Sequence, residues 1–273
     1  SPADPATHVL PSPYGEPISF TEEVFEPGDL AVRYSHPDWM VERWKRFYGD
    51  RIESILIANN LSPPITLRTN LTRTTREALA ARLHGSSPGR RSEALVVHGM
   101  GKISSLPEFK EGLFQVQDGT AMGVAPLLEP KEGERLADLC AAPGGKATHL
   151  AELLRGTGLV VAVDLKFDRT LPIRTSARRL GLTNIAIVIA DAAQCEFAPF
   201  DGVLVDAPCS NSGVLARRVD ARWRLREKDI VKAAALQRKI LAHAAGLVRP
   251  GGRLVYSTCS IEREENEDQI RAL

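Results

Sequence analysis

Two cysteines stand in matching surroundings along this chain. Cys209 follows an Asp-Ala-Pro turn at the end of an apolar run in "LVDAPCSNSGV", and Cys259 sits just past another apolar run in "LVYSTCSIE". A deprotonated thiol is a nucleophile. Two thiols at two strand ends suit a reaction in which one group attacks and a second moves a proton. The bland alternative is that both are small buried hydrophobes, the usual lot of a free cysteine. Cys195, in "AAQCEFAPF", fits that description, and Cys140 contributes backbone more than thiol. No short-spaced Cys/His set is present, which argues against a structural metal site and a disulfide framework. No metal is expected.

A second group of residues could hold a ligand. "LADLCAAPGGKATHLAELL" runs from a strand into a helix through Ala-Pro-Gly-Gly. Glycines there let backbone approach a ligand closely, and a helix start offers free N–H groups. The spacing matches neither the phosphate loop nor the dinucleotide fingerprint. "LVVAVDL" ends in Asp164, where nucleotide-binding α/β folds place an acid on ribose hydroxyls. Asp138, Asp191 and Asp206 stand at or near the ends of three further apolar runs. Four acids along one sheet edge outline a crevice, and an adenosine ligand with no triphosphate grip points to S-adenosylmethionine. Any one of the four, taken alone, could be a turn-forming aspartate.

The elements that must position these groups are legible. Strands are expected at 136–140, 159–163, 185–189, 202–206 and 253–257, separated by helices. One helix lies near Thr148 and another in "IVKAAALQRKILAHAAGLV". Alternating strands and helices predict a parallel sheet covered on both faces, with the strand near Val255 an unprotected edge. Ahead of it, "HPDWMVERWKRFYG" and "RIESILIANN" read as helices, "ITLRTNL" and "ALVVHGM" as strands, and "TREALAARL" as a helix capped by Thr74 or Thr75. The expected order is a Pro-rich segment over 1–35, a small α+β lobe over 36–111, and an α/β domain over 112–273.

Composition sets the outer limits. Of 273 residues, 43% are hydrophobic and 25% charged, and the net charge is +1. That describes a globular protein that is not a polycation, so nucleic acid would be held by local basic patches. With free thiols, no apolar run of spanning length and no signal-peptide pattern at the start, the expectation is a cytoplasmic protein off the membrane.

"DLCAAPGGK", "DAPCSNSG", "ARWRLREKDI" and "LVYSTCSIEREENE" resemble the signatures of the Nop/Sun family of RNA cytosine-5 methyltransferases. "RYSHPDWMVERW" and "ANNLSPPITLRTN" resemble its bacterial Fmu/Sun branch, which modifies a cytosine of small-subunit (16S) ribosomal RNA. The resemblance implies a Rossmann-like S-adenosylmethionine-dependent methyltransferase domain with a mainly parallel sheet, preceded by an RNA-binding lobe. It implies cofactor contacts from Cys140, Ala141, Ala142, Pro143, Gly144, Gly145, Lys146, Asp164, Asp191 and Asp206, with S-adenosylhomocysteine as product. The chain departs from the family pattern in having "SNSG" for "SATG" and "RVDARW" for a His-Pro-Asp run. Family members also carry a helical domain ahead of the Pro-rich segment and two more strands beyond Leu273, so the expected chain is a shortened monomer.

Cytosine C5 reacts poorly with a sulfonium methyl until a thiolate adds at C6. The chemistry therefore needs an attacking thiolate, a base for the C5 proton and a group that stabilises ring charge. Chemistry alone does not choose between Cys209 and Cys259. The resemblance implies that Cys259 attacks while Cys209 assists proton removal and release, with Asp206 and Lys146 supporting cytosine or cofactor. A DNA-type enzyme would instead attack with Cys209. A non-enzymatic RNA assembly factor would show damaged motifs. The run "ARRVDARWRLREK", with Arg217, Arg218, Arg222, Arg224, Arg226, Lys228 and Trp223, could grip phosphates and stack a base, or be a solvated helix face. Arg68, Arg73 and Arg76 are weaker candidates for the same task.

Overall fold

The structure, a computed structural model, describes residues 7–10, 18–21 and 29–273. The prolines of the first 35 residues lie outside the described residues. Strands β1 (Thr7–Leu10) and β2 (Ile18–Thr21) pair antiparallel. The chain divides into two compact units, 1–61 with 215–224, and 62–214 with 225–273.

The first unit carries helices α1 (Asp38–Tyr48) and α2 (Ile52–Asn60). Met40, Val41 and Trp44 of α1 and Ile52 and Leu56 of α2 are among its buried apolar residues, spaced along one face of each helix. Arg222 is buried here. Its guanidinium donates to the Ser35 carbonyl at 3.0 Å, to Asn60 Oδ1 at 2.7 Å and to the Asn59 carbonyl at 2.9 Å. That corrects its reading as a phosphate ligand: its donors close the ends of two local segments, and the side chain is out of solvent. Burial and the Arg222 charge push His36 down to about 4, so its imidazole is neutral at pH 7. Arg217, Arg218, Arg224, Arg226 and Lys228 are exposed, as is Trp223. Arg224 pairs with Asp220.

The second unit holds two sheets. Strands β3 (Ile65–Thr69), β4 (Ser86–Pro88), β5 (Ala94–Val97) and β6 (Phe114–Val116) form an antiparallel sheet in the order β4-β5-β3-β6. Helix α3 (Arg76–Arg82) is capped by Thr75, whose side chain accepts from the Ala78 N–H at 3.1 Å.

The larger sheet is built from β7 (Arg135–Asp138), β8 (Leu159–Asp164), β9 (Ile185–Ile189), β10 (Phe200–Asp206) and β11 (Val248–Ser257), ordered β11-β10-β7-β8-β9 and parallel throughout. This is the expected α/β architecture, with β11 at one edge. Its strands alternate between two cores. Ala137, Val161, Val163, Val203 and Val205 face Ile240 and Ala244 of helix α6 (Glu227–Gly246). Leu136, Val160, Ala162 and Leu204 face Leu150 and Ala151 of helix α4 (Gly145–Leu153) and Ile173 of helix α5 (Phe167–Leu180). Burial on both faces is why these strands read as continuous apolar runs. Cys195 belongs to the α6-side core. After β9 the chain returns to the other side of β7, so the strand order reverses between β7 and β10. In open α/β sheets, ligands bind beyond the strand ends at such a reversal.

Arg68 also has a structural task. It is fully buried and binds both Glu152 oxygens, at 3.1 and 2.8 Å, as well as Gln117, the Gly145 carbonyl and Thr148 Oγ1. Its reading as an RNA contact is therefore corrected. Arg76 pairs with Glu77, while Arg73 is exposed and donates to the Glu111 carbonyl.

Candidate active site

The reversal point carries the residues singled out by type and spacing. Asp138 ends β7, and the loop 139–144 leads into α4. The Ala142–Pro143 peptide bond is cis. Gly144 caps the helix at φ +108, and a Cβ there would lie 3.0 Å from Ile173 Cα, so only glycine lets this loop lie so close to α5. The Ala142 N–H donates to Asp164 Oδ2 at 3.2 Å, which ties the loop to the end of β8. Thr148 falls inside the helix, with its hydroxyl on the Gly144 carbonyl at 2.7 Å.

Lys146, in the first turn of α4, reaches across to β10. Its Nζ lies 2.7 Å from Asp206 Oδ2, and Ser257 Oγ donates to the other Asp206 oxygen at 2.8 Å. Asp191 caps its own turn through the Ala193 N–H at 2.9 Å and Gln194 at 3.1 Å. Asp138 is buried, and its carboxylate oxygens make no well-formed hydrogen bond, the Cys140 N–H offering a weak interaction that favours the ionised form. Burial first, and then the Asp206 charge, push its carboxyl up to about 7. Such weakly bonded oxygens beneath a glycine loop suit a ligand that supplies donors.

The two thiols meet. Cys209 and Cys259 form no disulfide and are half-buried, with Sγ atoms 3.0 Å apart. The contact with Cys259, then burial, then the charge on Cys259 push the Cys209 thiol well above the usual range. The Cys259 thiol donates to Asn211 Oδ1 at 3.1 Å, and Asn211 Nδ2 donates to the Cys209 carbonyl at 2.9 Å. The Gly213 N–H donates to the Cys259 carbonyl at 2.9 Å, and a Cβ on Gly213 would sit 2.9 Å from that same oxygen. The Cys140 thiol is pushed up by burial and then by Asp138.

Residues 125–273, more than half the chain, match the family described as 16S rRNA methyltransferase RsmB/F. The chain belongs to that family. Residues 36–96 match the ferredoxin-like domain of RsmF/B-like methyltransferases. Ribosomal RNA small subunit methyltransferase B of Enterobacter sp. (strain 638) is 38% identical over 260 residues, covering 92% of this chain and 60% of the relative. The protein of the same name from Salmonella typhi is 39% identical, covering 88% of this chain and 58% of that one. The chain thus spans about 60% of the length of these curated relatives. A methyltransferase homologue from Pyrococcus horikoshii superposes with a TM-score of 0.80 at 32% identity, covering 90% of this chain and 81% of that one. NSun6 from the same organism, solved with SFG, shares the fold at a TM-score of 0.79 and 24% identity, covering 86% of each chain. Among the described residues, no helix is long and apolar enough to cross a membrane.

In this RsmB/F-family chain, Asn211, Gln237, Ser257 and Glu265 hydrogen-bond to the cysteine loops and to Asp206. Composition gives no signal for them. Only adjacency to the cysteine motifs could have marked three of them, and Gln237 lies in mid-helix.

Asp138 gives a pH test. Folded, it keeps its proton to about pH 7, whereas an ordinary aspartate loses it near 3.8. The folded state therefore binds more protons across that window, and stability falls as pH rises through it, levelling off above about 7. Each tenfold change in proton affinity is about 1.4 kcal/mol, so the slope amounts to a few kcal/mol. In urea titrations at pH 5 and pH 8, Asp138→Asn is expected to flatten this slope and gain relative to wild type at pH 8. Parallel pH dependences in the two proteins would contradict this account of Asp138.

Proposed function

We propose that this chain transfers a methyl group from S-adenosylmethionine to C5 of a cytosine in RNA, with small-subunit (16S) ribosomal RNA as substrate. The reading rests on one observation above all: two thiols 3.0 Å apart at the strand reversal, beside the Lys146–Asp206 pair. The family and the curated ribosomal RNA methyltransferase relatives support the substrate class. Bound at the 140–146 loop, with Asp164 and Asp191 beside it and Asp138 beneath, S-adenosylmethionine supplies an electrophilic methyl on a sulfonium. The weakly bonded Asp138 oxygens and the close-packed Gly144 are consistent with a ligand against this loop.

The protein's own part divides between the thiols. The Cys259 thiolate adds to C6, and the electron pair of the C5–C6 bond moves toward C5, which becomes nucleophilic. Once C5 carries the methyl group, its proton must leave; the C5–H electron pair then re-forms the C5–C6 double bond as the Cys259–C6 bond breaks and its pair departs on sulfur as thiolate. Cys209 takes that proton. What holds its thiol up is first the contact with Cys259, then burial, then the charge on Cys259. In the adduct that sulfur is bonded and uncharged, so the first and third of these influences are lifted, and Cys209 ionises more readily when a base is needed. Lys146 and Asp206 face the ring and hydrogen-bond its polar edge. The lobe 36–111 helps to hold RNA, and the exposed arginines of 217–226 meet its phosphates, which a salt titration of binding would register.

The experiment is incubation of the chain with S-adenosylmethionine and a small-subunit ribosomal RNA transcript, followed by nucleoside mass spectrometry. 5-Methylcytidine is the expected product. Methylation at another atom or another base would overturn the reading.

A further inference from the structure

One buried carboxylate ties the two cysteine loops together. Glu265 lies in the single 3-10 turn Arg263–Glu265 and is fully buried. Its Oε2 accepts from the Ser210 N–H at 2.9 Å and from Gln237 Nε2 at 2.8 Å, and its Oε1 accepts from Ser260 Oγ at 2.8 Å. Ser210 is the residue after Cys209, and Ser260 is the residue after Cys259. Each thiol is thus one residue from a bond to the same carboxylate.

The rest of the arrangement reinforces this. Gln237, buried in α6, also donates to the Pro208 carbonyl at 2.9 Å, so Cys209 is held on both sides. Ser260 Oγ accepts the Glu262 N–H at 3.0 Å and lies 3.1 Å from the hydroxyls of both Ser210 and Ser212. Ser212 Oγ accepts the Ile261 N–H at 3.0 Å. The Glu265 carbonyl accepts the Tyr256 hydroxyl at 2.7 Å, which anchors the turn to the last strand. Hydrogen bonds to a buried carboxyl group are strengthened by the low dielectric around them, and such a network rigidifies what it joins.

We infer that Glu265 is a positioning residue that sets the separation of the two reactive thiols. It touches neither sulfur, and it holds the backbone on which each is mounted. Ser210, Ser260 and Gln237 are the arms of the same clamp. The inference rests on the proposed two-thiol chemistry for its functional meaning, while its geometric content can be tested without any methyl transfer.

The test uses the full chain as Glu265→Ala, Glu265→Gln and Ser260→Ala. Diamide takes two hydrogens from a close thiol pair, becoming the hydrazine as the pair becomes a disulfide. The rate of the Cys209–Cys259 cross-link, read by peptide mass spectrometry, therefore reports their closeness. Wild type is expected to cross-link fastest. Glu265→Ala should be slowed at least about tenfold, since it strands three donors, one of which, Gln237, is fully buried. Glu265→Gln retains an acceptor for Ser210 and Gln237 and a polar contact for Ser260, and should recover much of the rate. Ser260→Ala, which leaves Gln237 and Ser210 in place, should fall between and remains informative if Glu265→Ala fails to fold. In parallel, methyl transfer should lose kcat in the same rank order with KM for RNA and cofactor unchanged. Wild-type cross-linking rates in both Glu265→Ala and Ser260→Ala would overturn the clamp. Absence of methyl transfer in wild type would overturn the proposed function and leave the cross-linking result to judge the clamp alone.

Discussion

Cys259→Ala is expected to abolish methyl transfer, by roughly 10⁴-fold or more, while leaving the fold and cofactor affinity intact. Removing a nucleophile forces the reaction back onto the uncatalysed route, in which cytosine C5 must attack without prior addition at C6. The side chain is small and half-buried, with one thiol donation to Asn211 and one sulfur contact to Cys209, so alanine leaves no large cavity. The main-chain carbonyl that holds Gly213 is untouched by the substitution. Methyl transfer from labelled S-adenosylmethionine, with calorimetric cofactor titration and thermal melting on the same samples, separates the chemical loss from unfolding. Retained activity in Cys259→Ala, with loss in Cys209→Ala, would transfer the attacking role to Cys209.

Arg68→Ala should produce the largest loss of stability of any single arginine substitution in the second unit. The guanidinium is completely buried, and its partners include both oxygens of Glu152, itself nearly buried. Glu152 is already pushed up by burial, against the pull of Arg68. Taking the cation away leaves a desolvated carboxylate with no counter-charge, which costs about 3–5 kcal/mol in comparable cases. For a chain of this length that amounts to a fall in melting temperature of roughly 10 °C. The loss should shrink at low pH, where Glu152 takes up a proton, and should be partly recovered in Arg68→Met/Glu152→Leu, which removes both charges. Arg68 also binds the Gly145 carbonyl and Thr148 at the first turn of the helix behind the 139–144 loop, where the cofactor is proposed to bind. Cofactor affinity should therefore fall together with stability. A double variant no more stable than Arg68→Ala would show that the ion pair is not what the substitution breaks.

Much of this arrangement was legible in the sequence, for physical reasons. The central strands of the parallel sheet are buried on both faces, so continuous apolar runs such as "LVVAVDL" announce themselves. The Gly-Gly loop and the two cysteine motifs likewise depend on residue types with few other uses. The misreadings follow from context. Arg68 and Arg222 look like surface cations in one dimension, and only the fold shows that each has internal acceptors enough to be buried. β4 and β6 are three residues each, too short to display a period, and are defined by pairing with β5 and β3. Glu265 sits in a run of acids, "EREENE", where charge suggests solvent. Two of its three donors come from a loop fifty-five residues upstream and from a helix twenty-eight residues upstream, so the run itself carries little mark of its burial. The hydrogen bond between Asn211 and the Cys259 thiol spans forty-eight residues and is equally invisible locally.

The division of labour between the thiols is the central claim, and a denaturing gel tests it most directly. Cys209→Ala is incubated with S-adenosylmethionine and labelled small-subunit ribosomal RNA transcript, beside wild type, Cys259→Ala and the double variant. The account predicts an RNA-linked band that survives denaturation in Cys209→Ala, where methylation proceeds but release fails, and no such band in either protein lacking Cys259. A stable band in Cys259→Ala, with none in Cys209→Ala, would contradict it.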